Sequence, residues 1–475
     1  MTFVAACLRK FSVCTHNVKV ALVWSVFETG SASVRSGAVL SAYIYLCTNR
    51  NSTVGYVQGI TGIAQMLAAL PAGWLADKYR RDYVLKGAAA LGTVAAATLA
   101  VALLYDLPVQ ALFAACALLG VYTGLNNAPL EALFADCIPR GKSSLYTTKA
   151  VVNSMASGLG PLVSVVLFAL LGNRWEVHTC RYVLLAGLVM MVIPLIVMCF
   201  FNDDAKLNHQ QATEQASLLN SNTCSAEQTL LPDDQQPGQT KNSLVPATDP
   251  LASGPRSLLT PRHLPVITIP ILITTSDFIG ALAAGMTIKF FALFFIQMCS
   301  MQPVYVSLLA VFTPLGVSSA ALLGQALSKR IGRLQVNLVT RLFDMALLCG
   351  MAWLPAGSDY HREVLVVLHL SRTAFANCGR PLMKSLMMDN VPSCHRGKFN
   401  ALDSVRTFSW SGSAAAGGIL IERYGYPNTF FITAGLKLVA YLPLIPLLAY
   451  VDDGVFRIRQ KREAAESDLH EPLLP

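Results

Sequence analysis

Eight polar or charged side chains that could bind a ligand or exchange a proton lie inside long apolar runs of this sequence. They are Glu28, Arg35, Asn127, Glu131, Asp277, Arg372, Asn377 and Arg380. Glu28 and Arg35 stand seven residues apart, about two helical turns, which places both on one face of a helix. Arg372, Arg380 and Lys384 recur at multiples of four residues and form a second polar stripe.

Three kinds of chemistry fit these residues. The three arginines could bind an anionic group of a ligand, because a guanidinium offers a fixed fork of donors. One of the acids Glu28, Glu131 or Asp277 could be a site of proton exchange. The structural alternative is ion pairing within the protein, for example between Glu28 and Arg35, with no ligand involved. The residue types alone leave all three open.

The composition is that of a protein with little solvated surface. Of its 475 residues, 54% are hydrophobic and only 13% are charged, against about 25% charged residues in soluble proteins. Apolar runs of about 20 residues recur, each long enough to cross a hydrocarbon core as a helix. The net charge of +9 does not indicate a nucleic-acid partner, because the basic residues cluster between these runs. We therefore expect an all-α polytopic membrane protein.

Twelve membrane-spanning helices, called span 1 to span 12, are predicted from the apolar runs. Spans 1 to 6 cover residues 19–47, 53–75, 83–105, 108–136, 145–171 and 180–201. Spans 7 to 12 cover residues 264–298, 303–327, 335–354, 363–388, 399–421 and 428–450. The predicted domains are an N-terminal six-helix bundle in 1–201, a C-terminal one in 264–450 and a tail in 451–475. Between the bundles, the polar tract 202–263 is expected to be a flexible linker.

Clusters of lysine and arginine predict how the chain is oriented in the membrane. The loops after spans 2, 4, 8 and 10 and the tail hold such clusters, whereas the alternate loops hold only isolated cations. Both termini and the linker are therefore expected in the cytoplasm. The linker sequence EQASLL, residues 214–219, fits an acidic dileucine sorting signal. The plasma membrane and an internal membrane of vacuolar or lysosomal type both stay open as locations.

An internal repeat relates the two halves of the chain. The end of span 4 reads NNAPLEALFADCIPRGKSS, residues 126–144, and the end of span 10 reads GRPLMKSLMMDNVPSCHRGK, residues 379–398. Asp136 corresponds to Asp389, and a proline follows three residues after each. Such duplication is expected when two similar bundles surround a central site.

The loop after span 2 resembles the cytoplasmic signature of the major facilitator superfamily. It reads GWLADKYRRD over residues 73–82, where Gly73, Asp77, Lys78 and Arg81 match that signature. The sequence departs from it at Arg80, where the family has glycine. A degenerate second copy, GQALSKRIGRL, occupies residues 324–334 after span 8.

The resemblance implies a gate at the cytoplasmic ends of the helices. A network around Asp77 and Arg81 is expected to stabilise an outward-facing state and to break when the protein opens inward. Gly73 is expected to let two helices approach closely. The full set of gating candidates is Gly73, Asp77, Lys78, Arg81, Asp136, Gly332, Arg333 and Asp389.

The resemblance also implies a fold and an activity. The fold is that of two pseudo-symmetric six-helix bundles, in which spans 1, 4, 7 and 10 line a central cavity. These four spans hold the eight polar residues named first. The implied activity is secondary active transport of a small polar organic solute by alternating access. The arginines indicate that the solute could be anionic, and the acids indicate proton coupling, as symport or antiport.

Two other functions stay open. The fragment Gly158-Leu159-Gly160-Pro161 in span 5 resembles part of the family's antiporter signature, which would suit efflux of drugs or metabolites. A non-transporting receptor on the same fold is the second alternative. An enzyme is not expected, and neither a cofactor nor a metal is, because the cysteines and histidines show no ligand spacing. The expected partners are the lipid bilayer, a small-molecule substrate and protons. A nucleic-acid partner is not expected, and the chain is expected to be a monomer.

Overall fold

The computed structural model describes residues 16–137, 144–203, 268–354, 359–390 and 396–449. Every regular element within these ranges is helical, so the prediction of an all-α protein is confirmed. Helices are the expected result in lipid, because each backbone N–H and C=O must find its partner inside the segment. The tail and nearly all of the predicted linker lie outside the described residues, and the domain boundaries stay predictions.

The helices before the linker form the N-terminal half. In the described residues they are α1 to α8: His16–Arg35, Ala38–Thr48, Asn51–Lys78, Arg81–Leu104, Val109–Asp136, Ser144–Ala156, Leu159–Leu170 and Val177–Met198. Spans 2, 3, 4 and 6 are single helices, whereas span 1 consists of α1 and α2, and span 5 of α6 and α7. The break in span 1 directly follows Arg35.

The helices after the linker form the C-terminal half. They are α9 to α15: Thr268–Ile288, Phe291–Gln297, Pro303–Ile331, Arg333–Trp353, Asp359–Cys378, Arg380–Asn390 and Arg396–Tyr441. Span 7 is broken at Lys289 and Phe290, between α9 and α10, and span 10 is broken at Gly379, between α13 and α14. Gly425, with φ of 77°, turns the chain inside α15, so this element consists of two helices.

Nine segments of the described chain are apolar and long enough to cross a membrane. Segments 16–48 and 359–390 are not among them. The first contains Glu28 and Arg35, and the second contains Arg372 and Arg380. One of the nine, Ser409–Leu448, has 40 residues, about 60 Å of helix, enough for two crossings of a core of about 30 Å. The number of twelve spans stays a prediction.

The two halves contact each other through small residues on α3 and α15. A Cβ added at Gly55 would lie 2.5 Å from the carbonyl oxygen of Ala414, and one at Gly62 would lie 2.2 Å from the Cβ of Ser411. A Cβ at Gly418 would lie 2.7 Å from a backbone oxygen of α3. Close approach of backbones through small side chains is how helices gain packing energy in lipid, where no hydrophobic effect drives them together.

This packing predicts a cost for one added methyl group. Gly62→Ala should lower the free energy of unfolding by about 1–3 kcal/mol, because Ser411 has no flexible side chain that could move aside. A lower melting temperature of the purified protein in detergent measures the effect. The matched control is Gly87→Ala, at an exposed helical position where an added Cβ meets nothing within 4 Å. Equal melting temperatures of the two variants would contradict the proposed contact.

Candidate functional site

A buried polar cluster lies between α1 and α5 in the N-terminal half. The Arg35 guanidinium pairs with Oε1 of Glu28, and the Tyr122 hydroxyl donates to Oε2 of the same carboxylate at 3.1 Å. Glu28 is 8% exposed, Arg35 4% and Tyr122 0%. The predicted pair of Glu28 and Arg35 is thus present, and Tyr122 is a partner that sequence reasoning missed. The pair has no net charge.

Further polar groups near this cluster lack hydrogen bonds of good geometry in the described protein. Asn126 follows Tyr122 by one helical turn and is 1% exposed, and beyond a contact with the Tyr122 hydroxyl its amide makes no hydrogen bond of good geometry within the described chain. The Ser25 hydroxyl and the indole N–H of Trp24, about one turn before Glu28 on α1, have no hydrogen-bond partner among the described residues. Buried groups of this kind are normally satisfied by water or a ligand.

A second buried cluster lies in the C-terminal half, between α12, α13 and α15. The Lys437 Nζ donates to Oδ2 of Asp344 at 2.5 Å, and the Nε of Arg372 lies 3.0 Å from Oδ1 of the same carboxylate. All three residues are at most 5% exposed. The Arg372 guanidinium also lies 4.5 Å from the ring centroid of Phe291, which follows the break in span 7.

Asp277 belongs to a neighbouring ion pair. Its Oδ1 accepts from Arg341 at 2.7 Å, and Arg341 also donates to the Ser276 hydroxyl at 3.2 Å. The sequence analysis did not include Arg341, Asp344 or Lys437, because it considered only charges on spans 1, 4, 7 and 10. The same criterion, a charge within an apolar run, would have found them on spans 9 and 12.

The remaining polar candidates on spans 4 and 10 are accessible. Asn127, Glu131 and Arg380 are exposed, and Asn377 is half-buried, with its amide donating to its own helix at the Thr373 carbonyl. Glu131 accepts from Lys149 at 2.5 Å, and Lys149 is buried although Glu131 is 60% exposed. Charged residues inside a spanning segment are stable only with a partner or with water, so we expect water around these exposed side chains.

The structure describes the surroundings of some of the gating candidates. A Cβ at Gly73 would meet nothing within 4 Å among the described residues, so the close helix approach expected there is not seen. Lys78 lies over the ring of Trp74, and Arg333, directly after Gly332, donates to Ser385 at 2.9 Å.

The three acids among the gating candidates cannot be placed in a network. The side chains of Asp77, Asp136 and Asp389 lie outside the described part of the chain. Arg81 begins α4. A role of these residues in gating therefore stays a prediction.

At the end of the bundle where α3 and α11 begin, the two halves are hydrogen bonded to each other. The side-chain oxygen of Asn51 accepts from Gln297 at 3.1 Å and from Tyr426 at 3.2 Å. The backbone N–H of Ser52 donates to Glu422 at 3.1 Å. Asn51 and Ser52 belong to the N-terminal half, and their three partners belong to the C-terminal half.

A second set of bonds joins the halves at the same end. Asn173 donates to the Gln302 side chain at 2.7 Å and accepts from the backbone N–H of Val304 at 3.0 Å. The Trp175 indole donates to the Met301 carbonyl at 2.8 Å. The bundle is therefore closed at this end, which the sequence predicts to face away from the cytoplasm.

An apolar cavity of about 440 Å³ lies between α3, α9 and α15. Its wall includes Ile63, Leu282, Met286 and Leu436, with Ser409 and Ser413 as polar members. None of the eight polar residues identified from the sequence lines it.

A helical bundle with charged clusters inside its spanning segments and one closed end has the architecture of a membrane transporter. The family model of the Major Facilitator Superfamily matches residues 30–415 of this sequence, which is most of the chain. The chain therefore belongs to the Major Facilitator Superfamily, as the loop motif indicated, and it is not an enzyme.

Solved structures of transporters have the same fold. A point mutant of the nucleoside transporter NupG has 12% sequence identity and a TM-score of 0.63, with 91% of this chain and 99% of that chain covered. For a bacterial homologue of the iron transporter ferroportin in an inward-facing state, the identity is 15% and the TM-score 0.63, with 90% and 98% covered.

A third similar structure is the inward-open xylose transporter XylE from E. coli. Its sequence is 12% identical to this one, and the two structures superpose with a TM-score of 0.61, with 90% of this chain and 94% of that chain covered. At these identities the similarity shows the fold alone. No curated protein matches the sequence significantly.

The buried pair in the N-terminal half predicts an asymmetric response to mutation. Glu28→Gln should destabilise the protein by about 3–5 kcal/mol, because Arg35 is left buried without its counterion. Neutralising both partners in Glu28→Gln/Arg35→Gln should cost less than the sum of the two single variants. Thermal unfolding of the purified protein in detergent measures both effects.

The control is the pair of Asp106 and Arg181 at the protein surface. Asp106 is 64% exposed, so Asp106→Asn should cost less than about 1 kcal/mol. A melting temperature of Glu28→Gln that matches the melting temperature of Asp106→Asn would show that the buried pair is unimportant for stability.

Proposed function

We propose that this protein is a secondary active transporter that moves a small, polar, anionic organic solute by alternating access and couples it to protons. The observation behind this proposal is the contrast between the two ends of the bundle. One end is closed by hydrogen bonds between Asn51 and Asn173 of one half and their partners in the other. Toward the opposite end, spans 4 and 10 present exposed polar side chains.

The exposed side chains fit a water-filled cavity open toward the cytoplasm. Asn127 and Glu131 on α5 correspond, in the internal repeat, to Arg380 and Lys384 on α14, and all four are exposed. Residues at equivalent positions of two pseudo-symmetric bundles are related by the axis between them, so on helices that line the cavity we expect them on opposite sides of it. A solute between them would meet an amide and a carboxylate on one side and two cations on the other.

The cations favour an anionic cargo. Arg380 and Lys384 are exposed on α14, and Arg372 lies two turns earlier in the same span. Arginine suits this role because its guanidinium can donate two parallel hydrogen bonds to one carboxylate or phosphate group. Because Arg372 is buried and Arg380 is exposed, Arg380 is the better candidate for direct contact with the solute.

Proton coupling is proposed from the acids of the spanning segments. Glu131 is the most accessible of those described, with 60% of its side chain exposed, and it forms an ion pair with Lys149. Asp277, about one third exposed and paired with Arg341, is the second candidate. Among the proteins of similar fold is one described as a D-xylose-proton symporter, with 13% identity and a TM-score of 0.62.

One observation favours a second function, efflux of a hydrophobic compound. The apolar cavity of about 440 Å³ between the halves would suit a ligand without charge. In that case transport should not depend on Arg380. A receptor without transport activity would bind solute and show no flux at all.

We further propose that the chain acts as a monomer with both termini in the cytoplasm. This rests on the loops rich in lysine and arginine. The location, at the plasma membrane or at an internal membrane, depends on whether residues 214–219 act as a sorting signal.

The test is a flux measurement with purified protein in liposomes that contain a pH-sensitive dye. Pools of small metabolites, anionic and neutral, are added with and without an imposed proton gradient. We expect one anionic pool to collapse the gradient. If label enters without proton movement, coupling to protons is wrong, and if solute binds without any flux, the receptor function is favoured.

Variants then assign the residues. Arg380→Gln should weaken the apparent affinity for the solute by roughly 10- to 100-fold, the value of one charge-assisted hydrogen bond. Glu131→Gln should abolish the proton flux and weaken solute binding less than Arg380→Gln does. Arg423→Gln, at an exposed site away from spans 4 and 10, is the control that should transport normally. Unchanged transport in Arg380→Gln would favour the apolar cavity instead.

A further inference from the structure

The buried cluster of the C-terminal half has more positive than negative charge. It joins one carboxylate, Asp344, to two cations, Arg372 and Lys437, at 3.0 Å and 2.5 Å. These residues belong to spans 9, 10 and 12, and none is more than 5% exposed. The cluster therefore places one uncompensated positive charge inside the membrane-spanning part of the protein.

Neighbouring residues of the described chain do not supply the missing negative charge. The charged groups that act on Lys437 are Arg372, Asp344 and Arg341. Arg341 is another cation, and its own counterion is Asp277 at 2.7 Å. The Glu28–Arg35 pair of the N-terminal half, by contrast, is neutral. A buried charge without a counterion is strongly unfavourable, so the excess in the C-terminal half requires compensation.

Two groups beside the cluster have unused hydrogen-bonding capacity. Thr433 lies one turn before Lys437 on α15, is 0% exposed, and its hydroxyl has no hydrogen-bond partner in the described chain. His369, three residues before Arg372 on α13, is also buried, with its Nδ1 likewise unpartnered. The ring of Phe291 lies against both the Arg372 guanidinium, at 4.5 Å, and the His369 ring, at 4.7 Å.

We propose that the cluster of Arg372, Lys437 and Asp344 is a binding site for a small inorganic monovalent anion such as chloride. The anion would balance the excess positive charge and accept a hydrogen bond from the Thr433 hydroxyl. Organic solutes do not fit, because Arg372 and Lys437 are 3% and 5% exposed and Phe291 covers the guanidinium. The site is therefore distinct from the proposed solute position at Arg380, and this inference does not depend on the transport function.

The test measures anion binding to the full-length protein in detergent. Melting temperatures are compared in sodium chloride, bromide, nitrate and gluconate at constant ionic strength, and binding of radioactive chloride is measured directly. We expect chloride and bromide to raise the melting temperature saturably, by about 2 °C or more, relative to gluconate. Gluconate serves as the reference because it is too large for a site this closely enclosed.

Two lysine variants make the test specific. Lys437→Met leaves a neutral pair of Asp344 and Arg372, so its melting temperature should be the same in chloride and gluconate, and bound radioactive chloride should be lost. Lys149→Met removes a lysine that is similarly buried but belongs to the N-terminal half, and it should keep the full chloride response. Asp344→Asn, if it folds, should show a larger chloride response than the wild type.

Equal melting temperatures of the wild type in all anions, together with no bound radioactive chloride, would overturn the proposal. Lys437 would then have to be neutral in the folded protein. A rise in melting temperature with chloride that persists in Lys437→Met would also overturn the proposal, since the stabilisation would then come from another site or from a nonspecific effect of the salt.

Discussion

The cost of placing a charge in hydrocarbon governs the organisation of this protein. A charged side chain at mid-bilayer costs about 2.5–3.5 kcal/mol on insertion scales, and it persists only with a partner or with water. Both solutions occur here. Glu28 and Arg35, and Asp344 with Arg372 and Lys437, are buried in contact with each other. Glu131 is paired with Lys149 and is also exposed, and Arg380 is exposed as well, so both can contact water.

The same constraint explains where the spanning helices are interrupted. Arg35 ends α1, Lys289 follows α9, and Gly379 separates α13 from α14 next to Arg380. An interrupted helix frees backbone groups, and these are tolerated at membrane depth only where protein or water can satisfy them. In spans 1, 7 and 10, an interruption therefore lies beside a charged residue.

Packing between the halves follows a different rule. The contact of α3 with α15 depends on Gly55, Gly62 and Gly418, whose missing side chains let the backbones come together. Packing of this kind is not directional. The hydrogen bonds of Asn51 and Asn173 at one end supply specific contacts between the halves. Two halves that are joined by small residues and by hydrogen bonds at one end would suit the proposed alternating access.

The sequence by itself determined the class of this protein. Apolar runs of bilayer length allow only helices, and the GWLADKYRRD loop together with the internal repeat indicated the superfamily that the family match confirms. It also placed Glu28 and Arg35 on one helix face, since residues seven apart share a face, and ion pairing between them was one of the three alternatives that it left open.

Only the tertiary structure decided which charges meet across helices. Asp344, Arg372 and Lys437 are distant in sequence, and the ion pair of Arg372 with Asp344 on span 9 follows from helix packing that no spacing rule contains. Likewise Glu131, expected to line a cavity, is paired with Lys149 on a neighbouring helix. A sequence shows that a charged residue lies in an apolar segment. The partner of that residue depends on the rotation and depth of the neighbouring helices, and these are set by the packing of the whole bundle.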